Sequence, residues 1–245
     1  MTNLLVPADL GTVLSMWAHP DDETFLAGGV MAEARDAGQT VVCVSATAGE
    51  HGTDDPEGWP PDILGALRRQ EAAAAMAILG VTDHRWLDYE DGTLAAGDRT
   101  RAVTRIRTLM DEIEPDTILT FAPDGMTFHP DHQTISSWVS EAWEADGCRG
   151  RLLWAAATTE HYTTFGPRYE ELGIYMTDER PQGVDRDRLE IFLVLEGAAY
   201  ERKERALRAM PSQTAELFES LDADTLRLAL REEAFVAATD ITLLS

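Results

Sequence analysis

Lysine is almost missing from this chain. Lys203 is the only one among 245 residues, and arginine completes a total of 20 basic side chains against 44 acidic ones. The resulting formal net charge of −24 repels polyanions, which argues against nucleic acid and anionic membrane surfaces as partners. It suits a soluble protein, a saline setting, or both. Long hydrophobic runs are also missing: no stretch approaches the roughly twenty apolar residues that cross a bilayer. The segment from Met1 to Ala18 carries Asp9 and no basic cluster, so no secretory signal is expected there. Cysteine is scarce. Cys43 and Cys148 make neither a disulfide framework nor a metal-ligand spacing, and fit thiols in a reducing, cytoplasmic compartment.

The apolar and charged fractions, 44% and 26%, are those of an ordinary globular protein. The length suits a single domain, 1–245, around one core. Five apolar runs (12–18, 40–47, 117–121, 151–158 and 189–196) are continuous enough to be strands buried on both faces. A shorter run, 84–87, is a candidate sixth. Helical stripes lie between them. Leu26, Val30 and Ala34 share a face that Gly38 ends, and Ile63, Leu67, Ala74 and Leu79 share another, with Asp62 as the expected cap and Gly80 as the stop. Val103, Ile106, Met110 and Ile113 run up to Pro115, and Ile135, Trp138, Val139 and Ala142 make the fourth stripe. Strand–helix alternation of this kind predicts an α/β fold: a Rossmann-like, mostly parallel sheet with helices on both faces. Residues 158–188 read as a long, irregular surface excursion. The remainder, 198–245, reads as a mainly helical extension, with helices over 198–221 and from 222 to about 237.

Two loops carry the chemistry. The first expected strand runs directly into His19-Pro20-Asp21-Asp22-Glu23, and the run 117–121 leads through Pro123-Asp124-Gly125 into His129-Pro130-Asp131-His132. In an open parallel sheet, ligands bind beyond the carboxyl ends of the strands, and both loops leave from such ends. Imidazole and carboxylate are ordinary ligands of zinc. Either loop alone fits a hydrogen-bonded helix start with Asp21 or Asp131 as its cap. Two loops of the same layout at one sheet edge fit a metal site better.

The paired motifs resemble the LmbE-like or PIG-L family of zinc-dependent de-N-acetylases. Thr47-Ala48-Gly49-Glu50, Arg68-x-x-Glu71, Leu79-Gly80-Val81, Asp91-Gly92 and Ser212-Gln213 extend the similarity over roughly residues 12 to 215. The resemblance implies the LmbE-like fold and one Zn2+ per chain held by His19, Asp22 and His132. It further implies Asp21 as general base, His129 as oxyanion stabiliser or acid, and Asp131 as the group that orients the His129 ring. Hydrolysis of an N-acyl, typically N-acetyl, amide on a small amino-sugar-like substrate follows from it. Glu50, Arg68 and Asp91 are candidate substrate contacts, and a homo-oligomer is compatible with the same reading. Two departures stand out. Thr127 occupies a position where mycothiol-related members have tyrosine, and Met210-Pro211 replaces the usual histidine before Ser212-Gln213.

Three other readings compete. A dinucleotide-binding protein would use Ala27-Gly28-Gly29, but no G-x-G-x-x-G follows the first strand, and His-Pro-Asp-Asp puts negative charge where a pyrophosphate would lie. A non-haem iron enzyme would use His19, Asp21 and a distant histidine as a two-His-one-carboxylate triad. A catalytically silent sugar-binding relative would not need Asp21 and His129.

Overall fold

The computed structural model describes residues 4–239. The continuous apolar runs form strands because helices cover both sheet faces. Strands β1 (Val13–Trp17), β2 (Val41–Ser45) and β4 (Thr117–Phe121) are buried at every position. With β3 (Asp83–Trp86) and β5 (Arg151–Ala156) they make a parallel block in the order β3-β2-β1-β4-β5. Chain order reverses between β1 and β4, which are paired in register from Val13↔Thr117. This places a topological switch point, the usual ligand crevice of such sheets, beyond the carboxyl ends of these two strands. Trp17 and Phe121, the last residues of the two strands, meet edge to face at 4.9 Å beneath it.

Right-handed crossovers in opposite directions put the connecting helices on opposite faces. Helix α1 (Asp22–Asp36) follows β1 and α2 (Pro61–Leu79) follows β2; α3 (Arg99–Ile113) leads into β4, and α4 (Pro130–Ala145) joins β4 to β5. Three expected stripes are buried, with Val30 and Ala34, Ile106 and Met110, and Ile135 and Val139 inside. Helix α2 departs from its own: Ile63 is 54% exposed and Ala74 is exposed, and the buried face runs through Leu64, Arg68, Ala72, Ala75 and Leu79. Gly80 ends α2 in the left-handed region, as expected of a C-terminal glycine. The expected Asp62 cap differs from the structure: Pro60 stands at the N-cap and Asp62 lies in the first turn, where its charge still favours the helix dipole.

Two further expectations are corrected. The excursion 158–188 contains a helix, α5 (Thr159–Glu171), which Thr158 caps by accepting the His161 amide. It has no fully buried residue, and so lacked the apolar stripe that would have marked it in the sequence. Helix α6 (Gly197–Arg208), α7 (Pro211–Ser220) and α8 (Ala223–Leu230) bear out the helical extension, but 232–237 is a strand, β7 (Glu232–Ala237). It enters the sheet antiparallel between β5 and β6 (Ile191–Val194). Burial of Ala234, Phe235 and Val236 in the sheet overrides any local helical preference. The expectations for 1–3 and 240–245 lie outside the described residues. No helix among the described residues is long and apolar enough to cross a membrane.

Candidate metal centre

His19 follows β1 by two residues. Asp22 opens α1 and returns over it, its Oδ2 accepting the His19 backbone amide at 2.8 Å. Asp21, between them, has φ 109° and ψ −36°, a conformation that non-glycine residues rarely adopt and that tends to mark functional sites. On the other side of the switch point, the loop after β4 turns sharply through Gly125, Met126 and Phe128, all at positive φ. A Cβ on Gly125 would lie 2.7 Å from the His132 Cβ, so this position requires glycine. The turn aims the Gly125 carbonyl at His132 Nδ1, 3.0 Å away. Phe121 stacks on the same ring with centroids 4.2 Å apart.

These constraints bring donor atoms of three residues together, Asp22 meeting each histidine through a different oxygen. His19 Nδ1 lies 3.2 Å from His132 Nε2 and 3.5 Å from Asp22 Oδ2, and His132 Nε2 lies 3.3 Å from Asp22 Oδ1. A tetrahedral ion with ligands at about 2.0–2.1 Å has donor–donor edges of roughly 3.3–3.4 Å, so the triangle has the right size. The ring nitrogens on the outer side fix the tautomers. His132 Nδ1–H points at the Gly125 carbonyl, which leaves Nε2 bare toward the triangle. His19 Nε2 sits between Asp91 Oδ1 at 3.0 Å and Asp131 Oδ2 at 3.5 Å, close to both but aligned with neither. A histidine whose far nitrogen faces a carboxylate or carbonyl is the usual support for a metal ligand. The three histidines 19, 129 and 132 also hold ring nitrogens within 4.8 Å of one another, as do the donors of His19, Asp91 and Asp131. The donor set fits a small divalent cation.

Electrostatics around the triangle are strongly coupled. Burial works against a charged His19, but contacts to Asp131, Asp22 and Asp91 prevail and raise its pKa well above the usual value. Burial depresses His132 to about 4 and also lowers His129. It raises Asp21 to about 7, against the opposing pull of Arg68.

The remaining sequence candidates fall into place differently. Asp131 is fully buried, and its carboxylate accepts the Gly92 and Leu94 amides at 2.7 and 3.1 Å. It therefore faces His19 rather than the His129 ring, which instead accepts the Asp131 backbone amide through Nδ1 at 3.1 Å. Asp91 and Glu50, expected at substrate, support the centre: Asp91 bridges His19 and the His51 amide, while Glu50 Oε1 accepts the Asp91 amide. Arg68 is buried and donates to the carbonyls of Gly49 and Pro20 and to Asp21 Oδ2. Gly49, at φ +63°, leaves room for this guanidinium, since a Cβ there would stand 2.3 Å from Arg68 Cζ. Arg68 holds Asp21, and the carboxylate that approaches both His19 and His132 is Asp22. Thr127 Oγ1 lies 3.4 Å from His132 Nδ1. Ser212 donates through its amide at 3.1 Å and through its hydroxyl to Glu71, and Gln213 donates to the Gly52 carbonyl. The later motifs thus tie α7 to α2 and its preceding loop. Sequence reasoning assigned no role to Phe121. An aromatic at the end of the strand before the second motif was the available signal for Phe121. Glu23 is fully buried beside the Asp21 amide, and only its place in the motif pointed to it.

A doubly wound α/β domain with a His/Asp cluster at its switch point belongs to the metal-centred class of such folds. More narrowly, the chain belongs to the PIG-L family, described as GlcNAc-PI de-N-acetylase, whose model matches residues 14–143. A relative from Kineococcus radiotolerans, named 1D-myo-inositol 2-acetamido-2-deoxy-alpha-D-glucopyranoside deacetylase, is 35% identical over 179 residues. That match covers 59% of this chain and 50% of the relative, so the chain matches about half the relative's length. A protein of the same name from Corynebacterium glutamicum is 28% identical, covering 82% of this chain and 74% of the relative. Among solved structures, N,N'-diacetylchitobiose deacetylase from Pyrococcus horikoshii superposes with a TM-score of 0.65 at 23% identity, covering 96% of this chain and 87% of that one. It supports the fold.

Proposed function

We propose that this chain is a zinc-dependent amidase that removes an acyl group, most simply acetyl, from the amine of an amino-sugar-like substrate. The observation that carries this reading is the donor triangle of His19 Nδ1, Asp22 and His132 Nε2 at 3.2–3.5 Å, with the Asp21 and His129 side chains left outside it. His19, Asp22 and His132 hold the ion, which when bound supplies Lewis-acid polarisation and lowers the pKa of water. Asp21 takes the proton of the attacking water at its carboxylate, since its burial favours the protonated form. Arg68 holds that carboxylate in place at 3.3 Å. With Nδ1 committed to the Asp131 amide, neutral His129 carries its proton on Nε2. From there it donates a hydrogen bond to the developing oxyanion, and the proton that Asp21 took from water passes to the leaving amine. The carbonyl carbon gains the water oxygen, the C–N bond breaks, and a carboxylate and a free amine leave.

The substrate class follows the name of the Kineococcus radiotolerans relative, which specifies a 2-acetamido glucoside of inositol. The formal net charge of −24 adds a preference for neutral glycosides over phosphorylated ones. All groups named come from one chain, and both cysteines are free, as in a reducing cytoplasm. Metal analysis of purified protein, with a free-amine assay on N-acetylglucosamine conjugates, tests the reading. About one zinc per chain is expected, lost in His132→Ala together with activity. Asp21→Asn should keep the metal and slow turnover by a factor on the order of 10². Stoichiometric zinc in His132→Ala, or zinc lost from Asp21→Asn but not from Asp22→Asn, would overturn the assignments.

A further inference from the structure

Lys203, the only lysine, lies on α6 and is 1% exposed. It pairs at 2.7 Å with Glu233 of β7, which is equally buried. Both side chains also enter the backbone of α1. Lys203 Nζ donates to the Phe25 carbonyl at 2.6 Å, while the two Glu233 oxygens accept the Gly29 and Val30 amides at 2.7 and 2.8 Å. In an uninterrupted α-helix the Phe25 carbonyl serves the Gly29 amide, and the Leu26 carbonyl serves Val30. Here a cation also reaches that carbonyl and an anion both amides. A buried ion pair therefore engages the ladder of α1, the kind of side-chain contact that can bend a helix. Gly28 packs on the Lys203 stem, where a Cβ would be in ordinary contact at 3.6 Å, while Gly29 is kept small by Leu195, whose Cδ1 would lie 2.6 Å from a Cβ.

The insertion lies one turn from the metal centre. The Phe25 amide donates to the Asp21 carbonyl at 2.9 Å, so the peptide groups of Phe25 connect Lys203 directly to the residue between His19 and Asp22. We propose that Lys203 and Glu233 are positioning residues that set the tilt of the first turn of α1, aiming Asp22 into the donor triangle and holding Asp21 in its left-handed conformation. This inference rests on the metal reading above. A buried ion pair is weak evidence for stability, because apolar side chains of similar volume often serve as well. An apolar pair, however, cannot bond the Phe25 carbonyl and the Gly29 and Val30 amides, and those groups lie on the helix that carries Asp22.

The test is Co2+ titration, followed by the visible spectrum, of wild type, His132→Ala, Lys203→Met and Lys203→Met/Glu233→Leu, each below its thermal transition. The double variant avoids stranding one buried charge. Lys203→Met and the double variant should bind Co2+ roughly tenfold more weakly or worse, the scale of lost ligand support, with an altered spectrum. Their kcat should fall at nearly constant KM, and Lys203→Arg should recover part of the affinity. A purely structural pair would lower Tm and leave Co2+ affinity and spectrum unchanged, which would overturn the proposal. Wild-type protein that binds no Co2+, or binds it equally well as His132→Ala, would overturn the metal reading itself. If the variants do not fold, wild-type hydrogen exchange decides, because coupling is reciprocal. Metal should slow exchange at Gly29 and Val30 more than at Ala34, and equal slowing would refute the clamp.

Discussion

Asp91 separates two roles that its position in the sequence left together. Beside a substrate mouth, its loss would raise KM and leave the metal in place. The structure instead puts Oδ1 3.0 Å from His19 Nε2 and Oδ2 3.0 Å from the His51 amide, with the Asp91 amide itself held by Glu50. Asp91 is 7% exposed, so its charge is poorly screened and acts mainly on the imidazole. Removing a partner of this kind usually weakens metal binding 10–100-fold, about 1.4–2.7 kcal/mol. Asp131 still flanks the same nitrogen at 3.5 Å, so the loss should not exceed that range. Asp91→Ala is expected toward the upper end. Asp91→Asn, which keeps an acceptor but loses the charge, is expected near tenfold. Zinc affinity by competition with a chromogenic chelator, alongside kcat and KM at saturating zinc, measures both effects. Unchanged zinc affinity with a raised KM would refute the reasoning and return Asp91 to the substrate.

Arg68→Met strands the Pro20 and Gly49 carbonyls and leaves Asp21 without its counter-ion; a loss of about 3 kcal/mol or more and a Tm lower by roughly 6–12 °C are expected by calorimetry. His84 is held to about 4 by burial, with Arg69 adding to the effect. The unfolded chain, titrating near 6.5, then takes up the proton first as pH falls, so this contribution to stability is complete above about pH 6.5 and lost toward pH 4. Because the ring is only partly buried, about 1–3 kcal/mol is at stake, and urea midpoints at two pH values should show a smaller drop in His84→Gln than in wild type. For substrate charge, kcat/KM should favour a neutral N-acetylglucosamine conjugate over its phosphorylated counterpart, most strongly at low salt; the opposite preference, weakening as salt rises, would identify a local cationic pocket.

The legible parts of the molecule are those where one physical constraint dominates. Runs such as 117–121 leave no polar face, so they had to be central strands. A histidine–carboxylate loop at the end of such a strand had to lie over the switch point. The left-handed Asp21 and the turn through Met126 and Phe128 were not legible, because only tertiary contacts stabilise them. β7 was read as helix for the same reason: the sheet edge between β5 and β6, which decides its state, is built by residues some forty or more positions upstream. The roles of Asp91, Glu50 and Arg68 depended on direction. Sequence placed them at the correct edge, but whether each carboxylate points at a ligand, at backbone or at solvent is set by contacts such as the Gly49–Arg68 approach.

The charge distribution inside the site gives a separate reason for a resident cation. Asp22, Glu23, Asp91 and Asp131 are buried within one small volume, with Asp21 half-buried beside them. Among these contacts the permanent cation is Arg68, which is already spent on two carbonyls and Asp21. The other available positive charge is a proton on His19, and the surrounding carboxylates do raise its pKa well above the usual value. A divalent ion at His19 Nδ1 replaces that single proton with two charges at the centre of the cluster. It also leaves Nε2–H facing Asp91 and Asp131. Metal binding should therefore release protons, and apparent affinity should rise with pH until His19 is no longer protonated in the metal-free protein. The carboxylates that repel one another across the cluster are thus the ones that favour a bound divalent ion.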